Sequence, residues 1–198
     1  MVGFNIVGYV IFAFVTAITP GPNNYLLFAH GKAFGMNDSR KLMLGIITGF
    51  FTMACISGYG VGEIITQSQT LGLILKIVGS IWLFYLAIVL SKLNSDIKAE
   101  KPVKLTFIQA YLMQFINPKA WIVAITGAGA FMPNLGSIHL NVFVLALSFN
   151  IVGAPCMFVW IKFGDLISKL IKSEKSSRIL GYTLFGLMMV SIVMIWFE

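Results

Sequence analysis

Six long apolar runs alternate with short polar connections along the chain. They extend from Phe4 to Phe28, Leu42 to Thr66, Leu71 to Ser91, Phe107 to Met132, Leu140 to Phe163 and Ile179 to Phe197. Each is near the ~20 residues that an α-helix needs to cross a bilayer. The pattern predicts an all-α membrane protein, six transmembrane helices in a single domain over residues 1–198. Two of the runs are interrupted: Pro20 and Pro22 fall about two-thirds of the way along the first, and Pro118 falls near the middle of the fourth. A proline removes a backbone N–H and its ring clashes with the carbonyl four residues back, which is that of Thr16 for Pro20 and of Ile18 for Pro22. In hydrocarbon the freed groups find no water, so such a break persists only where it is packed in protein or faces a wet cavity. The first and fourth helices are therefore expected to stop and restart within the membrane. Thr19 ahead of Pro20, and Asn117 ahead of Pro118, each read as a polar cap before a proline at the first helical position.

Pro20 and Pro118 are 98 positions apart in a chain of 198, so each break lies in the first run of its own half, about 1–100 and 101–198. Three runs per half reverse the second half in the membrane. That is the 3+3 inverted repeat of many secondary transporters, in which broken helices meet near the midplane. Two half-helix N-termini, at Thr19 and Asn117, then approach from opposite sides with unpaired N–H groups and partial positive charge. Such ends bind anions.

Composition supports the class and charge orients it. At 58% hydrophobic and 11% charged residues, the chain is far more apolar than a soluble domain. The first run has no basic leader and no small-residue cleavage site, so it is expected to be retained. Lys32, Arg40 and Lys41 follow the first run. Lys92, Lys98, Lys101 and Lys104 follow the third, and Lys162, at the very end of the fifth, goes with Lys169, Lys172, Lys175 and Arg178 of the loop after it. Twelve of the 14 basic residues thus share one side, which the positive-inside rule makes cytoplasmic, with both termini outside. The net charge of +7 needs no nucleic acid, because a basic cytoplasmic face next to anionic lipid explains it.

The remaining two basic residues, Lys76 and Lys119, lie further inside runs. Lys76 is close enough to the outer surface to snorkel. Lys119 is deep, where a charge calls for a partner or a wet cavity; the alternative is a structural kink with a snorkelling lysine. No aspartate or glutamate lies deep in any run, so a solute bearing a carboxylate suits the site better than a free cation does. Proton relays use acidic groups or histidine, and the candidates here, His30 and Asp38, lie near cytoplasmic ends; Lys119 is a third. Gly45 and Gly49 form a GxxxG, read as helix packing. Gly58, Gly60 and Gly62 crowd the outer end of the second run, as a gate or as loosened packing. Pro155 should bend the fifth run. Cys55 and Cys156 read as core packing. No cofactor or metal is expected, and the oligomeric state is open.

Thr19-Pro20-Gly21-Pro22-Asn23, glycines 31, 35, 45 and 49, and Gln114-Phe115-Ile116-Asn117-Pro118-Lys119-Ala120 together resemble the lysine exporter (LysE/RhtB) family of bacterial amino-acid exporters. Asn23-Asn24 and the stretch from Phe107 to Pro133 look most like the branch exporting cysteine and O-acetylserine. The resemblance implies efflux of small amino acids across the bacterial inner membrane in exchange for protons. By position it marks Thr19, Pro20, Gly21, Pro22, Asn23, Asn117, Pro118 and Lys119 as substrate-binding. A membrane enzyme would need a nucleophile with its base, HExxH or CxxC, and the sequence has none of them. A channel or a structural subunit of a membrane complex remains the alternative.

Overall fold

The computed structural model describes residues 5–95, 104–171 and 173–197. Phe4 at the start of the first run, and Lys98, Lys101 and Lys172 of the basic connections, lie outside the described residues. Those described are almost entirely helical and none is in a strand. In order they form α1 (Ile6–Ile18), α2 (Pro22–Ile56), a π-helical turn (Ser57–Val61), α3 (Gly62–Gln67) and α4 (Gln69–Ser95). After these come α5 (Phe107–Ile116), α6 (Pro118–Phe131), α7 (Ile138–Leu170) and α8 (Glu174–Phe197).

Local chemistry explains several of the boundaries. The Asn5 side chain accepts from the Gly8 N–H and opens α1. Thr106 and Gln109 open α5 with a reciprocal capping box. Residues 29–41 are expected from the sequence to be a connection, and here the structure differs. Helix α2 occupies this stretch on both sides of Gly35, which alone leaves helical backbone with φ 75° and ψ −179°. A positive φ is accessible to glycine without steric penalty, so one residue turns the chain where a loop was expected. The limb before Gly35 starts in the first apolar run and the limb after it enters the second. Gly60, at φ 99°, similarly distorts the π-helical turn. Pro155 does not interrupt α7, which runs continuously past the fifth apolar run at both ends.

Helices α2 and α7 form the central pair, crossing where Gly31 and Gly164 bring the backbones together: a Cβ on either would overlap the Ile161 or Phe28 carbonyl. Gly45 and Gly49 serve α2 in the same way against Phe107 and Tyr111 of α5, the packing role expected of that GxxxG. Tyr25, Leu27, Phe28, Leu42, Ile46 and Ile161 are buried between these helices. Helices α4 and α8 pair to one side, with Leu83 and Met188 in their seam and Trp196 Nε1 donating to Ser80 Oγ. Cys156 is buried and Cys55 half-buried, both as free thiols.

The core is apolar, but it also holds several amides, and large apolar side chains cover much of the surface, both unusual in a soluble protein. Asn24, Gln114, Asn117 and Asn150 are buried, whereas Ile81 and Ile151 are about two-thirds exposed, at 65% and 64%. Three helical stretches, Pro22–Val61, Ile138–Leu170 and Lys175–Phe197, are long and apolar enough to cross a membrane, and Ile6–Ile18, Gln69–Tyr85 and Phe107–Ile116 are shorter apolar helices.

Candidate binding site

Between Ile18 and Pro22 the backbone is extended: Thr19 has φ −60° and ψ 135°, and Gly21 φ −176° and ψ 178°. Each of these residues precedes a proline, and the proline ring disfavours helical backbone in its predecessor. Two such constraints in a row move the restart of the helix to Pro22, at the first helical position behind Gly21. This corrects the expected cap: Thr19 ends α1 instead of opening α2, and its hydroxyl turns back to donate to the Val15 carbonyl. The N-terminus of α2 has no side-chain cap.

Four carbonyls at the end of α1 and in the break, those of Ala17, Ile18, Thr19 and Pro20, accept from three other helices. Asn24 Nδ2 in α2 donates to Ala17 O at 2.8 Å and to Thr19 O at 2.9 Å. Trp160 Nε1 in α7 donates to Ile18 O at 3.1 Å. Lys119 Nζ in α6 donates to Thr19 O at 3.1 Å and to Pro20 O at 3.2 Å. A cation beside the carbonyl end of a helix also meets the negative end of its dipole. Lys119 therefore reaches across 100 residues of sequence to the other break, and its stem lies against Gly21.

The second break is one residue wide. Asn117, at φ −88° and ψ 105°, separates α5 from α6 and takes the N-cap position expected of it, with Pro118 behind. Its side chain does not cap α6. It joins a chain of amides whose orientation is set by one backbone carbonyl. Gln114 Nε2 donates to Ala110 O at 3.1 Å, which fixes the Gln114 amide because a carbonyl only accepts. Gln114 Oε1 then accepts from Asn23 Nδ2 at 2.8 Å, and Asn23 Oδ1 accepts from Gln114 Nε2 at 3.1 Å and from Asn117 Nδ2 at 3.3 Å. What remains is Asn117 Oδ1, a buried acceptor with no partner.

A partly open cavity of about 70 Å³ lies where the two breaks meet, room for several waters. Its polar wall includes Gly21, Asn23, Asn24, Asn117, Lys119 and Asn150, and its apolar wall includes Phe50, Val123, Phe149 and Met157. Phe149 sits in an aromatic layer, edge-on to Tyr9 at 5.2 Å and to Phe50 at 5.6 Å. No acidic side chain is among the described residues that line the cavity.

Of the site residues read from the sequence, Gly21, Pro22, Asn23, Asn117 and Lys119 line this cavity. Thr19 and Pro20 contribute their carbonyls to Lys119, and Pro118 packs against Gly79 of α4. His30 and Asp38 are elsewhere. His30 is buried, with Nδ1 2.9 Å from Ser39 Oγ, and exposed Asp38 pairs with Lys104 at 2.7 Å. Lys76 lies in a wider groove between α4 and α6. Sequence reasoning gave no role to Trp160, Asn150 or the Gln114 side chain. An amide inside an apolar run was the available signal for Asn150 and Gln114; Trp160 carried none.

The family model described as LysE type translocator matches residues 14–195. A leucine efflux protein of Klebsiella pneumoniae subsp. pneumoniae is 25% identical over 94% of this chain and 91% of its own length. A cysteine/O-acetylserine efflux protein of the same organism is 24% identical over 82% of this chain and 83% of its own length. An uncharacterized membrane protein of Bacillus subtilis is 24% identical over 88% and 90%. No solved structure matches the chain.

Proposed function

We propose that this chain, which belongs to the LysE type translocator family, is a secondary exporter of small neutral amino acids that works by proton exchange from six spans arranged as a 3+3 inverted repeat. The observation that carries the reading is the cavity at the junction of two interrupted helices, walled by one ammonium and several amides. Helix lengths support the broken-span reading. At 1.5 Å per residue, α1 and the first limb of α2 are each about 20 Å long, and α5 and α6 about 15 and 21 Å. None alone crosses ~30 Å of hydrocarbon, but each consecutive pair does. The names of the relatives support amino-acid efflux, and an acid-free wall suits a neutral substrate.

In this reading the substrate carboxylate lies toward Lys119 and the uncapped N-terminus of α2, and the side chain lies on Phe50, Val123 and Phe149. His30 and Asp38 are the proton carriers proposed, His30 being the more suitable because Asp38 is paired with Lys104 at an exposed surface. The basic connections face the cytoplasm and both termini face outward. The deciding experiment is counterflow in liposomes with the purified protein over a panel of leucine, cysteine, O-acetylserine, threonine and lysine. A carrier shows saturable uptake accelerated by neutral amino acid inside. Uptake that neither saturates nor responds to internal substrate would make the protein a channel. For orientation, Asn134→Cys should react with an impermeant thiol reagent outside intact cells and Ser95→Cys should not; the reverse pattern inverts the topology.

A further inference from the structure

Two buried acceptors in the wall of this cavity are left without partners: Asn117 Oδ1 and Asn150 Oδ1. Their residues are 3% and 8% exposed. Neither acceptor results from an arbitrary amide orientation. Asn150 Nδ2 donates to Ala146 O at 3.1 Å, and turning the amide over would set oxygen against oxygen. Asn117 is held by the chain that begins at Ala110 O and passes through Gln114 and Asn23. An unpaired buried acceptor is uncommon in a native structure and calls for an explanation. Here two occur in one wall, on α7 and at the α5–α6 break.

We infer that Asn117 and Asn150 form the subsite for the substrate's α-ammonium, their two carbonyl oxygens receiving its N–H groups while the carboxylate lies toward Lys119. The inference rests on the amino-acid exporter reading and adds the half of the zwitterion that the anion-binding features leave unrecognised. Charge-assisted hydrogen bonds from an ammonium to amide oxygens are strong where water is excluded. Because both acceptors are neutral, the subsite fits a group carrying several N–H donors without needing a carboxylate counter-ion. It rejects a quaternary ammonium, which has no N–H, and it favours an amine over a hydroxyl, which offers one donor and no charge. The site therefore selects primary α-amino acids over their 2-hydroxy and N-trimethyl analogues, whatever the side chain.

The test uses the purified full-length protein and four probes: leucine, 2-hydroxy-4-methylpentanoate, N,N,N-trimethylleucine and leucinamide. Affinities are read by calorimetry in detergent and by competition in counterflow. Wild type should bind leucine at least tenfold more tightly than the hydroxy acid and the trimethyl derivative. Asn150→Leu keeps the side-chain volume and removes the acceptor. It should weaken leucine about tenfold, the size expected for a charge-assisted bond, and change the hydroxy acid less than twofold. Equal weakening of both probes, or full discrimination retained in folded Asn150→Leu, overturns the subsite while leaving the exporter reading intact. Failure of wild type to bind any neutral amino acid overturns both. If Asn150→Leu does not fold, Asn150→Asp decides: an added carboxylate should widen the preference for leucine over the hydroxy acid, and an unchanged or narrowed preference overturns the inference. Leucinamide, which keeps the ammonium, should lose affinity through Asn150→Leu by the same factor as leucine. Sparing of leucinamide would assign Asn150 to the carboxylate and overturn the proposal.

Discussion

At residues 19–21 the chain leaves α1 with carbonyls that need donors from α2, α6 and α7. At Asn117 three of the corresponding carbonyls, those of Gln114, Phe115 and Asn117, are satisfied within the turn itself. Trp121 Nε1 donates to Phe115 O at 2.9 Å, the Asn117 N–H to Gln114 O at 3.2 Å, and the Ala120 and Trp121 N–H groups to Asn117 O at 3.1 and 3.2 Å. A single proline produces the second break and one extended residue suffices. Paired prolines produce the first, and two extended residues open a gap that local groups cannot close. The difference gives the breaks different parts in the site. The second is self-contained and projects Asn117 and Lys119 toward the first, whose geometry depends on helices that only the tertiary fold brings near. A movement of α6 or α7 must be matched at the end of α1.

The largest effect should follow from the donor that the first break uses twice. Asn24→Leu strips Ala17 O of its side-chain partner and leaves Thr19 O with Lys119 alone. An unsatisfied buried group costs about 1–3 kcal/mol and a bond lost from a carbonyl that keeps another donor about 0.5–1.5 kcal/mol, so the two losses should together lower unfolding free energy by roughly 2–4 kcal/mol, read by denaturant or thermal melts in detergent. A loss under about 0.5 kcal/mol, the scale of an ordinary surface change, would mean that water serves these carbonyls and that the two breaks differ less than their bonds suggest.

Lys119→Met comes next and divides two roles of one side chain. As a donor to the first break, Lys119 holds Pro20 O, and its loss should cost about 1.5–3 kcal/mol of stability, the range for a charged hydrogen bond. As part of the site, it should also cost one to two decades of affinity for leucine while leaving leucinamide nearly unchanged. Lys76→Met, in the groove between α4 and α6, is the control and should alter neither. Destabilisation with unchanged discrimination between leucine and leucinamide would confine Lys119 to bracing the break.

How much of this arrangement the sequence reveals depends on how local the cause is. The interruptions at Pro20, Pro22 and Pro118 follow from a missing N–H and a ring clash, which act within four residues, and α1 and α5 end where those rules put them. The GxxxG at Gly45 and Gly49 was legible because four-residue spacing already defines one helix face. The local rule that makes Thr19 a cap fails, because two X–Pro restraints in succession shift the restart by two residues. The expected loop at 29–41 failed for another reason: polar residues at a membrane surface read alike whether helical or not, and the turn needs only Gly35. Lys119 was singled out by its depth, but its reach to Thr19 O and Pro20 O depends on the packing of α6 against α1. The role of Trp160 lay beyond sequence reasoning altogether, because an indole in an apolar run usually signifies packing.

The smallest expected effects come from the two indoles, and they give the sharpest test of the comparison because the chemistry removed is the same. Trp160→Phe and Trp121→Phe each keep an aromatic ring and delete one N–H, to Ile18 O and Phe115 O respectively. On hydrogen-bond grounds both should lose about 1 kcal/mol of stability. Their consequences for transport should separate. Trp121 bonds within its own turn, six residues back, so losing the bond loosens a platform whose position its neighbours still fix. Trp160 ties α7 to α1 across 142 residues, and it also packs edge-on against Tyr25 at 6.1 Å. Without its N–H the end of α1 no longer follows α7, and counterflow should slow several-fold in Trp160→Phe while staying within twofold of wild type in Trp121→Phe. Equal slowing of both at matched stability would show that the breaks act alike, and that the contrast between a self-contained turn and a tethered one has no bearing on transport.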